Sequence, residues 1–183
     1  DQNNNIAIGY RAGRNVSTGI NNIFFGNDAG LSNDTDYLTG TKNVGIGSSS
    51  LNDLTTGNNN VMMGYHSGTK ITTGSDNVAI GTSSLDANLT GSYNTAMGTN
   101  TLGTGTGSYN TAIGSGAGKS TTTGQFNFFL GYNAGYDNTT ASQNIYIGYN
   151  AGRYKVTGAS GSGRNTVIGD SAFRNGDTTA GTG

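Results

Sequence analysis

The sequence predicts an all-β fold, a parallel β-solenoid of about ten coils, and three observations carry that prediction. A phrase recurs about every 17 residues, the phrase itself is β-branched and closed by Gly, and large apolar residues are too scarce for a central core. The phrase reads Asn, apolar, variable, apolar, Gly. Its ten copies start at Asn5, Asn22, Asn43, Asn60, Asn77, Asn94, Asn110, Asn127, Asn144 and Asn165, so the period is 17 with two four-residue insertions and one single-residue deletion. Seventeen residues are too few for a helical-hairpin repeat, and β-branched residues flanked by Gly favour strand over helix.

Composition narrows the class further. Gly, Asn, Thr and Ser together fill 102 of the 183 positions, while Leu, Ile, Val and Phe make up about 17%. Disorder is not implied, because the formal charge is only -1 and both Pro and Glu are absent. No apolar run approaches the length of a membrane helix, and no charged-then-apolar leader opens the chain. Nine basic residues scattered among ten Asp make no stripe for a phosphate backbone, so neither nucleic acid nor membrane insertion is expected. Without Cys there is no disulfide framework and no thiolate metal site.

Each element of the coil has a reading of its own. The fourth phrase position is always large and apolar: Ile8, Phe25, Ile46, Met63, Ile80, Met97, Ile113, Leu130, Ile147 and Ile168. These residues are expected to form the core, with the second position on the same strand face and the third pointing away. The first-position Asn residues are expected to stack into a structural ladder, their amides bonding to one another and to turn backbone. A small residue follows three positions after the phrase Gly, as at Ala12, Ser50 and Thr101. Thr18, Thr39, Thr56, Thr73 and their equivalents, usually followed by Gly, read as a second bend in which Gly takes positive φ. The insertions, Asn33 to Leu38 and Ala159 to Gly163, are expected to bulge outward. Residues 1–183 form a single array with no polar cap, which reads as a segment of a longer protein. One thin row of aliphatics per chain is little against the entropy of ordering it, so burial against further copies of the chain is expected.

Catalytic chemistry finds no foothold. Solenoid glycosidases and lyases use paired carboxylates, whereas Glu is absent and Asp34 and Asp36 sit in an insertion. His66 occupies a variable position shared with Arg11, Asp28 and Asn133 and reads as an exposed bystander. No calcium-binding Gly-Gly-x-Gly-x-Asp repeat occurs, and Gly103 to Gly107 lacks the Lys of a phosphate loop, so no metal or other cofactor is expected. Tyr10, Tyr65, Tyr132 and Tyr149 form a partial row just after the phrase and are the candidate ligand or subunit contacts, with Tyr93, Tyr109 and Phe126, just before the Asn, as a parallel case. The sequons at Asn15, Asn33, Asn88 and Asn138 follow from composition. Ice binding is a competing class for a Thr-rich solenoid. Adjacent doublets such as Thr55-Thr56, Thr72-Thr73 and Thr122-Thr123 place their two hydroxyls on opposite sides of a strand, which disfavours a flat lattice-matching face.

The phrases Asn77-Val78-Ala79-Ile80-Gly81, Asn94-Thr95-Ala96-Met97-Gly98 and Asn110-Thr111-Ala112-Ile113-Gly114, with Ala or Ser nearby, resemble the head repeats of trimeric autotransporter adhesins. They equally resemble the Gly- and Asn-rich repeats of phage tail fibres, notably in Gly-Tyr-Asn-Ala-Gly at Gly131 to Gly135 and Gly148 to Gly152. Essentially the whole chain shares the likeness. The resemblance implies a left-handed β-roll, three chains side by side as a homotrimer, and display on a cell or virion surface to bind a surface glycan or matrix protein. The departures are a repeat a few residues longer than the adhesin one, and no neck, heptad stalk, anchor or chaperone domain in this chain. The function expected is a rigid extracellular rod for attachment, with a self-assembling filament or spacer and an ice-binding solenoid as alternatives.

Overall fold

The computed structural model describes residues 3–32, 36–154 and 163–173. It is a parallel β-solenoid. Ten three-residue strands, β1 (Ile6–Ile8), β2 (Ile23–Phe25), β3 (Val44–Ile46), β4 (Val61–Met63), β5 (Val78–Ile80), β6 (Thr95–Met97), β7 (Thr111–Ile113), β8 (Phe128–Leu130), β9 (Ile145–Ile147) and β10 (Thr166–Ile168), form one sheet in strict sequence order. Pairing is in register by phrase position, so Val78 lies on Thr95, Ala79 on Ala96 and Ile80 on Met97. At about 4.8 Å per rung, ten coils make a rod about 48 Å long. Asp34 and Asn33, and nearly all of the second insertion, lie outside the described residues.

The asparagine column is the most regular part of the fold. In Asn77, the backbone N–H and Nδ2 both donate to Oδ1 of Asn60, at 3.1 Å each, and Nδ2 donates again to the Gly91 carbonyl at 2.9 Å. Asn94 then donates twice to Oδ1 of Asn77. Two Nδ2 hydrogens and two Oδ1 lone pairs are therefore all used, which is the whole capacity of the amide. The pattern runs from Asn43 to Asn127, with Ala141 replacing Gly as the last acceptor. One amide thus joins coil to coil and, within its own coil, the strand to the bend that leads into the next phrase. A second, shorter column stands two residues before it: Ser75 Oγ accepts from the Asn58 N–H, Ser92 Oγ from Ser75 and Ser108 Oγ from Ser92, at 3.0 Å each.

The interior is filled by the third phrase position, and the expected core is corrected accordingly. Phe24, Met62, Ala79, Ala96, Ala112, Phe129, Tyr146 and Val167 are buried, whereas Ile8, Phe25, Met63, Ile80, Met97, Leu130 and Ile168 are exposed and Ile46, Ile113 and Ile147 half-exposed. Side chains do alternate as expected, but the second and fourth positions share the outer face. The physical reason is space. Between the sheet and the bend that follows it there is room for one large side chain per level, supplied on seven of the ten rungs either by the third position or by the residue four after the phrase Gly. Where the third position is Gly45, Ala79 or Ala96, Leu51, Leu85 or Leu102 fills the level. Where it is Phe24, Met62, Phe129 or Tyr146, the partner is Gly30, Gly68, Gly135 or Gly152, and a Cβ there would run into the large side chain, at 2.6 Å from the Phe129 ring in the case of Gly135. A further apolar column from the opposite wall, Leu38, Leu54 and Ile71, closes the N-terminal half of the core.

The small residues between these columns are also explained. Ser50, Ser67 and Ser84 are buried, and their hydroxyls donate to the carbonyls of Met62, Ala79 and Ala96 on the next coil, at 3.1–3.2 Å. Glycine in the Thr-Gly bend works differently from expectation. Gly57, Gly74 and Gly124 do not take positive φ; a Cβ at any of them would collide with a carbonyl oxygen of the neighbouring coil. Close approach, and not backbone handedness, selects Gly there. Positive φ belongs to the phrase Gly, at +132° in Gly81.

Two stability outcomes follow. Phe129→Ala should cost about 3–5 kcal/mol. Adding Gly135→Leu, a residue already accommodated at the equivalent φ in Leu51, Leu85 and Leu102, should recover a large part of that loss, and denaturant titration of the two single variants and the double variant measures the coupling. Asn77→Ala strips acceptors from Asn94 and a donor from Gly91, so a loss of about 2–4 kcal/mol is expected; a loss below that of an exposed control such as Thr99→Ala would contradict the ladder's role.

Candidate interaction surface

Because the third position turns inward, the second and fourth positions of every strand turn outward, and the rod carries an apolar stripe along its length. Its twenty members run from Ile6 and Ile8 to Thr166 and Ile168, and not one is charged. Side-chain size does not explain the exposure: Phe25 is 52% exposed beside a fully buried Phe24, and Ile80 is 37% exposed beside a fully buried Ala79. Single exposed apolar residues are ordinary on protein surfaces, but an uninterrupted column on ten successive rungs is not.

Aromatic residues border this stripe on both sides. Just before the Asn, Tyr93, Tyr109 and Phe126 stack as a column, with ring centroids 5.0 and 4.8 Å apart and planes within 7° and 5° of parallel. All three sit at positive φ, 59°, 61° and 57°. That region costs a bulky residue about 1–2 kcal/mol, which is why the rest of the column, from Asn21 through Asn59 and Asp76 to Gln143, is mostly short and polar. Rung-to-rung hydrogen bonds hold the conformation, since the N–H groups of Tyr93, Tyr109 and Phe126 donate to the carbonyls of Ser75, Ser92 and Ser108.

The candidate row after the phrase is brought together only in part. Tyr132 and Tyr149 stack at 5.4 Å with planes 13° apart. Tyr10 instead lies under the Arg11 guanidinium at 5.2 Å, and Tyr65 leans on His66 at 4.1 Å, so these two stand on separate rungs. His66 is half-buried at φ 55°, not an exposed bystander. Stacking has a chemical consequence. The faces of Tyr109 are covered on both sides, so this ring offers a sugar its edge and hydroxyl but no face.

Charged residues are spread over nine of the ten coils, and two ion pairs join neighbouring coils. The Arg11 guanidinium bonds both carboxylate oxygens of Asp28 one coil away, at 2.6 and 2.8 Å, and Lys70 pairs with Asp53 at 3.0 Å. The Arg11 hydrogen bonds hold the Asp28 carboxyl below its ordinary value, against a smaller opposing effect of burial. Among the described residues no three His, Cys, Asp or Glu side chains gather as metal ligands, and no helix is long and apolar enough to cross a membrane. Two sequon asparagines are buried and engaged, Asn88 accepting from the Gly91 N–H and Asn138 donating to the Ala141 carbonyl. The threonine doublets are engaged as well: Oγ1 of Thr55, Thr72 and Thr122 donates to the carbonyls of Thr72, Leu89 and Thr139 on the next coil.

Comparison with protein-family models, curated proteins and solved structures finds no match to this chain.

The outward stripe and the Ser column left signals in the sequence that periodicity alone did not sort. The Ser column appears as Ser-x-Asn at Ser75, Ser92, Ser108 and Ser142, a spacing invisible until the Asn register is fixed.

The Arg11–Asp28 pair supplies a pH outcome. A carboxyl held below its unfolded value contributes stability above that value and loses it as pH falls through the folded one. Wild type should therefore melt above Asp28→Asn at pH 7, and the gap should close below about pH 4, the ordinary carboxylate range. Melting curves of the two proteins across pH 2–7 read this directly, and a gap constant across that range would refute it.

Proposed function

We propose that this chain is a structural repeat segment of an extracellular or virion-surface fibre or adhesin, a rigid rod whose copies associate side by side through the outward strand face. One observation carries the reading: large uncharged side chains occupy the outward fourth position on all ten rungs, exposed on seven and half-exposed on three, where they add little to the core of a single chain. A second copy of the same rod offers the same 4.8 Å rung spacing, so apolar columns of two rods can interdigitate over their full length. The repeat phrases resemble those of trimeric adhesin heads and tail fibres, which supports a homotrimer at a cell or virion surface. The aromatic columns along the stripe's borders supply polar-tipped contact area for a surface glycan or matrix protein, with edges and hydroxyls as the recognising groups.

A mechanical spacer or self-assembling filament uses the same face and differs only in lacking a ligand. Ice binding has less support, because the first hydroxyl of the doublets at Thr55, Thr72 and Thr122 is already committed to the backbone of the next coil.

Light scattering coupled to size exclusion tests the association. The expected mass is near three times the 18.6 kDa of one chain. Ile80→Asp with Met97→Asp should reduce it to one chain while leaving the strand signal in circular dichroism intact. A monomeric wild type would overturn the proposal, as would a double variant that keeps the oligomer. Glycan and matrix-protein arrays probed with the intact oligomer then separate adhesin from spacer.

A further inference from the structure

We propose that the stacked pairs Tyr93–Tyr109 and Tyr132–Tyr149 are sites of oxidative cross-linking, at which a one-electron oxidant joins each pair into a dityrosine that ties neighbouring coils covalently. These rings border the apolar stripe, and their chemistry is independent of whether the rods associate. Among the described residues these are the two places where one phenol stacks on another, at 5.0 and 5.4 Å between centroids. All four rings are about half exposed: 55%, 48%, 50% and 53%. An oxidant can therefore reach them.

The solenoid makes the pairing permanent. Residues 16 or 17 apart in sequence are held on adjacent rungs by the strand register and by the bonds from the Tyr93 and Tyr109 N–H groups to the coil before. The partner of a tyrosyl radical is therefore present before the radical forms, an intramolecular arrangement of high effective concentration. Stacked rings must turn partly edge-on for ortho carbons to meet. Half-exposed side chains make such rotations in picoseconds to nanoseconds.

The balance is simple. Each tyrosine gives up one electron and its phenolic proton to become a phenoxyl radical. The two radicals form one carbon–carbon bond between their ortho positions, and each ortho hydrogen then leaves its ring carbon as the phenol is restored. With a haem peroxidase and hydrogen peroxide as the oxidising system, two tyrosines and one peroxide give one dityrosine and two waters.

The rest of the chain provides internal controls. Phe126 continues the Tyr93–Tyr109 stack but has no phenol to oxidise. Tyr146 is buried and stacks on Phe129, not on a tyrosine. Tyr10 and Tyr65 are as exposed as the paired rings, at 69% and 56%, but face Arg11 and His66. Exposure without pairing should leave them unlinked within the chain.

The experiment treats the whole protein, at low chain concentration, with a haem peroxidase and hydrogen peroxide, and reads dityrosine fluorescence and mapped peptides. Two links are expected within one chain, 93 to 109 and 132 to 149, each with loss of two hydrogens. Tyr93→Phe should delete the first and Tyr149→Phe the second, and the double variant should lower the intrachain yield by at least about tenfold. Phenylalanine preserves both stacks, so unchanged circular dichroism separates loss of the phenol from loss of the fold. Dityrosine found only between chains would overturn the proposal. So would links spread equally over Tyr10 and Tyr65, or oxidation of the paired tyrosines without coupling.

Discussion

The saturated amide at the first phrase position is the interaction on which every other feature of the rod depends. An asparagine side chain has two donors and two acceptor sites, and here each is spent in a fixed direction: both acceptor sites on the following coil, one donor on the preceding coil, and one donor on the turn of its own coil. Aspartate could not donate, and the extra methylene of glutamine would carry the amide past its partners from the same backbone position. Once the amide fixes the level of each strand against the next, equivalent positions must stack in columns, and a column tolerates only residues that suit neighbours of their own kind. The buried Ser hydroxyls, the Gly bends pressed against carbonyls and the stacked rings are three answers to that one requirement.

A narrow core then forces complementarity within each level. Conventional domains distribute volume among many neighbours, so one enlargement can be absorbed by several small shifts. In a coil of this size two facing interior positions trade volume on most rungs, as Phe24 with Gly30, Gly45 with Leu51, and Ala96 with Leu102 show. Leu51, Leu85 and Leu102 accept positive φ for the sake of that volume, at 52°, 51° and 47°. Their burial offsets a backbone conformation that a branched aliphatic otherwise avoids.

The repeat, the strand assignment and the asparagine column were legible in the sequence because each needs only a period and a residue type. The inside and outside of the strand were not. Ile8, Phe25, Ile46 and their equivalents are uniformly large and apolar, which in an ordinary domain marks the interior. The third position, by contrast, ranges from Gly45 and Ala79 to Phe129 and Tyr146 and has the variability of a surface. The information needed was a correlation, not a type: on seven of ten rungs third-position size runs opposite to the size of the residue four after the phrase Gly, with Ala7 and Gly13, Ala112 and Gly118, and Val167 and Phe173 as the exceptions. The Gly residues of the Thr-Gly bends show the same limit. A Gly demanded by handedness and a Gly demanded by a neighbouring carbonyl look identical until the neighbour is in place.

This inversion changes what the apolar residues of the repeat imply. If the fourth position were the core, its uniformity would be a packing requirement internal to one chain and would say nothing about partners. Because it faces outward, exposed on seven rungs and half-exposed on three, packing of the core does not account for its uniform size. The aromatic columns obey the same logic. Tyr93, Tyr109 and Phe126 occupy a strained backbone position on the borders of that face, where Asn59 and Asp76 show that polar residues fit with less strain. Strain held on three consecutive rungs, next to an apolar face that the coil itself leaves uncovered, is not explained by the packing of one chain.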